Sequence, residues 1–170
     1  MRDACVLLLL ALTSIPHARL HAWAPPSTTP SASPPVRPSA RLANGEPPTL
    51  TWRLLAGLDI ATGTPSDTLR KLNGQVVRIP GFIVPLDDGL REGNEFLLVP
   101  YYGACIHTPP PPPNQMVMVT MADRKPVALD LFQAVTIEGT LRITESDSPY
   151  GLVGYDLQAV RLLPYGKAAR

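Results

Sequence analysis

Residues 135–144 read VTIEGTLRIT and show the clearest strand pattern in the chain. The odd-numbered positions carry Val, Ile, Gly, Leu and Ile, whereas the even-numbered positions carry Thr, Glu, Thr, Arg and Thr. Successive side chains of a β-strand point to opposite faces of the sheet. The alternation therefore predicts a strand with one face in a core and the other in water.

Segments on both sides of this strand predict four more strands. They are residues 76–83, with a bend or bulge at Pro80-Gly81, and residues 95–99, 115–121 and 152–163. Short helices are expected within residues 49–58, within 66–72 with Ser66 as N-cap and Asn73-Gly74 as the stop, and around 127–132. This order predicts a mainly β protein, a small five-stranded Greek-key barrel of the OB type, with a short β-sandwich as the alternative.

The N-terminus has the form of a secretory signal. Arg2 precedes an apolar run at residues 4–12, which is too short to cross a bilayer of about 30 Å. Residues 1–24 are therefore interpreted as a signal peptide, cleaved near Ala24, and the mature chain is expected to be periplasmic or secreted, without a transmembrane segment. Residues 25–48 are rich in Pro, Ser and Thr and predict a disordered linker. A domain over residues 49–166 and a tail over 167–170 complete the predicted organisation.

The charge balance argues against nucleic acid as a partner. The whole chain has 15 Lys+Arg and 14 Asp+Glu, a formal net charge of +1. Removal of the signal takes away two basic residues and one acidic residue, so the mature chain is neutral. Nucleic-acid binding needs a concentrated basic surface, which this composition does not provide.

The same cleavage leaves a single cysteine and a single histidine, Cys105 and His107. They lie in the segment YYGACIHTPPPPPNQ, residues 101–115, between the second and third predicted strands. If this segment is extended, the two side chains point to one side with α-carbons about 6 to 7 Å apart, a separation that one metal ion can bridge. Thiolate and imidazole together suit zinc or copper(I).

Three interpretations of this pair stay open from the residues alone. A metal site would need further ligands from Asp87, Asp88, water or another molecule, because structural zinc takes four ligands. A thiol enzyme, the least favoured of the three, would use His107 to activate Cys105. In the third, Cys105 is a small buried apolar residue and His107 caps the loop.

The neighbouring residues have mainly structural interpretations. Five prolines predict a polyproline II rod about 15 Å long that stiffens the segment, and Asn114 and Gln115 are expected to fix its end. Tyr101 and Tyr102 form an aromatic wall or pack as ordinary side chains. Asp87-Asp88-Gly89 is expected to be a turn. The rod comprises Pro109, Pro110, Pro111, Pro112 and Pro113.

Three stretches of this sequence resemble a known family of exported bacterial proteins, domain of unknown function 3299. They are LNGQVVRIPGFIVPLDDG, EFLLVPYYGACIHTPPPPPNQMVMV and VTIEGTLRI, and the likeness extends over residues 52–163. The most specific part is GACIHTPPPPPNQ, residues 103–115, which makes Gly103, Cys105, His107, the prolines, Asn114 and Gln115 the family motif. The resemblance implies a periplasmic OB-like domain that accompanies export or metal-uptake systems, including ABC-type zinc transporters. The function expected from it is a binding or accessory role in metal handling, with a periplasmic transporter component as partner. A pure protein-interaction module is the alternative.

Overall fold

The structure is a computed structural model that describes residues 45–166. The predicted signal peptide, residues 25–44 of the predicted linker and the tail lie outside the described residues. Residues 46–48, also assigned to the linker, contact the sheet: Glu46 pairs with Arg78 at 3.2 Å, and the Pro48 carbonyl accepts a 2.8 Å hydrogen bond from the Arg78 amide.

Two short helices precede the sheet, as predicted. Helix α1 covers Trp52–Leu55 and α2 covers Asp67–Leu72. The Ser66 hydroxyl accepts a hydrogen bond from the Leu69 amide, and α2 ends at Asn73, followed by Gly74 in the left-handed region with φ 79°. The predicted N-cap and stop of α2 are therefore confirmed.

Five strands form the main sheet. They are β1 (Val76–Pro85), β3 (Glu95–Val99), β4 (Val117–Met121), β6 (Ala134–Ser148) and β7 (Gly151–Pro164). Two-residue strands β2 (Glu92–Gly93) and β5 (Val127–Ala128) pair with each other, and a 3₁₀ helix covers Pro113–Gln115. The order in the main sheet is β1-β3-β4-β7-β6; β6 also pairs with β1, and β4 and β7 are parallel. The prediction of a mainly β protein with five strands and few short helices is confirmed.

One expected helix is absent. Residues 127–132 contain β5 and a turn, and no helix lies between β4 and β6. The pairing of β1 with β6 keeps one register through Pro80 and Gly81, which excludes a bulge there, while the bend stays a prediction. The register shifts lie between β6 and β7, at Glu138/Gly139 and Ile143/Ser146.

Gly81 has a packing role instead. A Cβ atom at this position would lie 2.8 Å from the Val99 carbonyl oxygen and 3.0 Å from the Trp52 ring. The same indole donates a 2.7 Å hydrogen bond to the Pro80 carbonyl oxygen. Only glycine allows α1 to approach β1 this closely.

Apolar side chains fill both faces of β1 and β3. On one face, Ile83, Phe96 and Leu98 belong to the larger core, which also takes in residues of β4, β6, β7 and both helices. On the other face, Val84 and Leu97 belong to a second cluster, here called the outer cluster. Because β1 and β3 have apolar residues on both faces, they need a second covering element, and that element contains the sequence motif.

The even-numbered side chains of β6 were predicted to face water, and this prediction is wrong for the first half of the strand. Thr136 and Glu138 are buried. Glu138 accepts a 2.9 Å hydrogen bond from Arg78 on β1 and a 2.6 Å hydrogen bond from Arg161 on β7, its cross-strand neighbours. This ion-paired row lets a charged residue lie at a buried position of the strand.

Candidate partner-binding surface

Residues 100–112 connect β3 to the 3₁₀ helix and are here called the cap loop. The amides of His107 and Thr108 donate hydrogen bonds of 3.0 and 3.2 Å to the Gly103 carbonyl oxygen, and the Thr108 hydroxyl donates a third at 3.3 Å. Gly103 and Cys105 both adopt positive φ, 84° and 72°. The loop is therefore a tight turn that closes on one carbonyl group.

This turn contradicts the geometry expected for the Cys105–His107 pair. A left-handed residue at 105 and a turn bond at 107 replace the extended chain that would have placed both side chains on one side. A positive φ is uncommon for a residue other than glycine and costs about 1 kcal/mol or more. The packing of the loop has to offset this cost.

Cys105 is half-buried and packs against the outer cluster, next to buried Ala104. Burial raises the pKa of its thiol to about 11. A nucleophilic or ligating cysteine needs a lowered pKa, and usually a positive charge nearby, to supply the thiolate. The surroundings of Cys105 favour the neutral thiol, which agrees with the interpretation of this residue as a small apolar side chain.

Aromatic rings lie side by side where the cap loop meets the sheet. The ring centroid of Tyr102 lies 4.7 Å from that of Phe132 and 6.4 Å, edge-on, from that of Phe82. The centroid of the His107 ring lies 5.8 Å from that of Phe132. These four residues, Phe82, Tyr102, His107 and Phe132, are here called the aromatic surface.

The aromatic surface has one buried member and one member that is exposed to solvent. Phe132 is buried and belongs to the outer cluster, whereas the side chain of Tyr102 is 68% exposed. Tyr101, Ile106 and Leu131 next to it are also exposed large side chains. Such a group of exposed apolar side chains is typical of a surface that contacts another molecule.

The predicted proline rod is wrong at its end, because Pro113 opens the 3₁₀ helix. Pro112, with φ −63° and ψ 157°, has the polyproline II conformation. Pro111 is buried, whereas Pro109 and Pro110 are exposed. The proline run thus ends in an anchored turn.

Asn114 and Gln115 fix this end of the run, as predicted. The Asn114 amide donates a 2.8 Å hydrogen bond to the Leu58 carbonyl oxygen, and the Gln115 amide donates a 2.9 Å bond to the Trp52 carbonyl oxygen. Both acceptors belong to α1 or to the turn that follows it. The Leu58 carbonyl follows the helix and gains its hydrogen bond from Asn114, whereas the Trp52 carbonyl already accepts a 2.9 Å bond from the Ala56 amide and takes the Gln115 bond as a second one.

The acidic candidates form a turn, which confirms the structural interpretation of residues 87–89. The Asp87 carboxylate accepts a 2.8 Å hydrogen bond from the Gly89 amide. Throughout residues 45–166, no group of three or more His, Cys, Asp or Glu side chains lies close enough to hold a metal ion. Within this part of the chain, Cys105 and His107 do not gain the further ligands that a closed site needs.

Sequence reasoning missed Phe82 and Phe132. Phe82 lies on the face of β1 opposite Ile83, and Phe132 has a φ of 59° in the turn before β6. A large apolar residue at an even position of the first predicted strand was a usable signal for a second covered face. The position of Phe132 depends on tertiary packing and has no local signal.

The comparisons with known proteins agree on one family. The model of a family described as protein of unknown function, DUF3299, matches residues 60–164. A crystal structure of a DUF3299 family protein from Pseudomonas aeruginosa PAO1 is similar at 33% sequence identity with a TM-score of 0.57, and the match covers 74% of this chain and 100% of that one. No curated protein matches the chain. No helix within residues 45–166 has the length and apolar content needed to span a bilayer.

Proposed function

Because this chain belongs to the DUF3299 family, whose function is unknown, we propose that it is an exported accessory protein that binds a protein partner through its cap loop. One observation carries the proposal. Tyr102 is 68% exposed although it stands on an anchored loop and contacts the buried Phe132 ring. A rigid, exposed aromatic residue loses little conformational entropy on binding, and such residues dominate protein interfaces.

The anchoring supports a preformed binding surface. Asn114 and Gln115 attach the end of the cap loop to α1, and the Gly103 carbonyl closes its turn. Ala104 and Cys105 of the loop also pack against the outer cluster. Preorganisation of this kind reduces the cost of association, which suits an accessory role in a larger assembly.

Export is the second part of the proposal. The apolar run at residues 4–12 behind Arg2 supports a signal peptide, and the absence of a second cysteine after cleavage avoids unwanted intramolecular disulfides in an oxidising compartment. The partner we propose is a component of a periplasmic transport system. A fusion to alkaline phosphatase, which is active only outside the cytoplasm, should be active with residues 1–24 and inactive without them.

The strand order supports a proposed OB-like class. Four strand pairs of the main sheet are antiparallel, β4 and β7 are parallel, and β6 pairs with both β7 and β1, as a five-stranded Greek-key barrel requires. The helix expected between β4 and β6 is replaced by β5 and a turn.

Metal handling, the role expected from the family resemblance, would have to be shared with the partner. Within residues 45–166 no three ligand side chains converge, and the pKa of the Cys105 thiol is raised to about 11 by burial. Zinc or copper(I) bound by Cys105 and His107 would therefore take its remaining ligands from the other molecule. Metal content of the purified protein and of Cys105→Ser, measured by mass spectrometry with and without the partner, tests this role.

Photo-crosslinking in cells tests the binding surface. Benzoylphenylalanine replaces Tyr102 or, as a matched control, Tyr165, which is also exposed at the far end of β7. We expect one discrete crosslinked product from position 102 and none from position 165. Excess purified protein should compete with the product, and the Tyr102→Ser/Ile106→Ser variant should not. Equal products from both positions, or none from position 102, would refute the proposal.

A further inference from the structure

The proline run of the cap loop has its backbone conformation fixed by its own sequence. Each proline from Pro109 to Pro112 is followed by another proline. The ring of each residue fixes its own φ at about −65°, and the ring of the next residue excludes the α region for its ψ. The run is therefore held in the polyproline II conformation, as the φ of −63° and ψ of 157° at Pro112 show.

Exposure along the run follows the repeat of this conformation. Polyproline II has three residues per turn, so residues three apart share an edge. Pro111 is buried, whereas Pro109 and Pro112, one turn apart, are both exposed. These two exposed residues are here called the proline ridge. A Pro-x-x-Pro edge of this kind is the form in which proline-rich segments are recognised, and the groups that recognise it are aromatic side chains.

The proline ridge is fixed at both ends. Thr108, directly before it, donates two hydrogen bonds to the Gly103 carbonyl oxygen, and Asn114, after it, donates one to the Leu58 carbonyl oxygen. Proline has no amide hydrogen, so the ridge leaves no backbone donor without a partner. A preformed ridge loses little conformational entropy on binding.

The aromatic side chains that such a ridge needs lie on the same loop. Within residues 45–166 the exposed tyrosines are Tyr101, Tyr102 and Tyr165, and no tryptophan or phenylalanine is exposed. The Tyr102 ring contacts Phe132 and Phe82 inside its own chain, and most of it stays exposed to solvent. Its open face is therefore available to the ridge of another molecule.

Two further features suit the cap loop to symmetric pairing. The hydrogen bond from the Thr108 amide to the Gly103 carbonyl oxygen brings together the two segments that continue into Pro109 and back to Tyr102. No Lys, Arg, Asp or Glu occurs in residues 96–122. A two-fold axis places equal residues of two copies near each other, and like charges there would repel. The cap loop thus carries both halves of a proline–aromatic contact and no such charge.

We propose that a second copy of this chain covers this surface when no other partner is bound. The tyrosines of each cap loop pack on the proline ridge of the other copy about a two-fold axis. Such an isologous contact uses the same patch on both copies, and each copy supplies one ridge and one pair of tyrosines. The inference rests on the proposed function in using the same surface, because a partner that binds Tyr102 displaces the second copy.

Sedimentation velocity tests the dimer on protein purified from cells that express the full chain, with a reducing agent to remove disulfide-linked species. We expect a reversible monomer–dimer equilibrium between about 1 μM and about 1 mM, the range of weak contacts. Tyr102→Ser should raise the dissociation constant at least about tenfold, the effect of losing one aromatic anchor. A protein that stays monomeric up to about 1 mM would overturn the proposal.

Val160→Ser is the matched control for Tyr102→Ser. Val160 is also an exposed apolar residue, and it lies beyond the Met121–Ala159 pair, at the end of β4 away from the cap loop. Its substitution should leave the dissociation constant unchanged. Equal dimerisation of the two variants would refute the assignment of the contact to the cap loop.

Substitution of the ridge tests the other half of the contact. Pro109→Ala/Pro112→Ala removes both exposed rings, yet each new alanine still precedes a proline and keeps the extended conformation. We expect the dissociation constant to rise at least about tenfold, with an unchanged circular dichroism spectrum. Pro126→Ala, at an exposed proline outside the cap loop, should have no effect. Unchanged dimerisation of the double variant would refute the role of the ridge.

Crosslinking between isotope-labelled copies shows whether the contact is reciprocal. A mixture of unlabelled and ¹⁵N-labelled protein, both with benzoylphenylalanine at position 102, should give crosslinked peptides that join this position in one label to residues 108–112 in the other. Crosslinks confined to one label would refute the contact. Absence of the dimer together with a partner product in cells would refute this inference alone, whereas a dimer without that product would refute the proposed function alone.

Discussion

The ionisation of Cys105 distinguishes a thiol enzyme from a buried structural cysteine. Burial raises the pKa of its thiol to about 11, so the neutral form persists at physiological pH. The thiolate is the reactive species in alkylation. In a Cys5→Ser background, we expect iodoacetamide to label Cys105 at least about tenfold more slowly in the folded protein than in urea at pH 8. Equal or faster labelling of the folded protein would restore the thiol-enzyme hypothesis.

The same shift has a consequence for stability at high pH. A cysteine whose pKa is raised by folding binds its proton more tightly in the native state than in the unfolded state. Its contribution to stability is therefore complete below the ordinary thiol pKa and is lost as the pH rises towards about 11. The loss should be smaller in Cys105→Ser, which has no thiol to titrate.

Glu138 is the residue whose loss should destabilise the sheet most directly. Burial alone would raise the pKa of its carboxyl, but hydrogen bonds from Arg161 and Arg78 reverse that effect and lower it. Glu138→Gln would leave the buried Arg78 guanidinium with only the half-exposed Glu46 carboxylate as an ionic partner, and we expect a loss of about 3 kcal/mol in the free energy of unfolding. Arg161→Gln, at a half-exposed position, should cost only about 1 kcal/mol. Urea denaturation of both variants measures the difference.

The pH dependence of unfolding provides an independent check on Glu138. Because its pKa is lowered on folding, its contribution is present above the ordinary glutamate value of about 4.3 and is lost as the pH falls through the lowered folded value. Glu138→Gln should therefore lose less stability between neutral and acid pH than the unsubstituted protein. An identical acid dependence in both proteins would contradict the assigned ion pairs.

At the scale of elements, the clamp between the 3₁₀ helix and α1 is the connection that holds the cap loop in place. Asn114→Ala removes the hydrogen bond to the Leu58 carbonyl oxygen, and Gln115→Ala removes the bond to that of Trp52. Asn114→Ala should cost about 1 to 2 kcal/mol, because the part-buried Leu58 carbonyl loses its hydrogen bond. Gln115→Ala should cost less, about 1 kcal/mol, because the Trp52 carbonyl keeps its bond from the Ala56 amide. Gln133→Ala, at an exposed position, is the matched control and should be close to neutral in the same thermal denaturation.

Local pattern predicted most of the elements. Alternation identified β1 and β6, the other predicted strand segments correspond to β3, β4 and β7, and Ser66 and Asn73-Gly74 marked the limits of α2, because capping and strand periodicity are local properties. The helix expected over residues 127–132 failed because Val127–Ala128 pair with the distant segment Glu92–Gly93, a contact that no local pattern encodes.

The motif shows the same division between local and distant information. The side-chain amides of Asn114 and Gln115 were predicted to fix the end of the loop, and they do. The left-handed conformation of Cys105 and the contact of Tyr102 with Phe132 depend on packing against β1 and β3. The pairing of Cys105 and His107 assumed an extended chain, and the turn closed by the Gly103 carbonyl replaces it.

At the scale of the whole described domain, the two apolar clusters differ in what encloses them. The larger core lies between paired strands and two helices, whereas the outer cluster is covered by the cap loop and the turn at Phe132. A loop held by a few turn hydrogen bonds opens at a lower free energy than a strand ladder. The cap loop is therefore expected to open while the main sheet stays intact.

Native-state hydrogen exchange can measure this difference in opening. The amides of His107 and Thr108, which both donate to the Gly103 carbonyl, should exchange with an opening free energy clearly below that of β6 and β7 amides such as Leu141. Asn114→Ala should lower the value for the cap loop further and leave that of the central strands unchanged, because the clamp acts on the loop end. A bound partner should raise the opening free energy of the cap loop, since a ligand that binds only the closed loop stabilises that state. Equal values for the loop and the strands would instead mean that both clusters unfold in one step, with the cap loop as an integral part of the core.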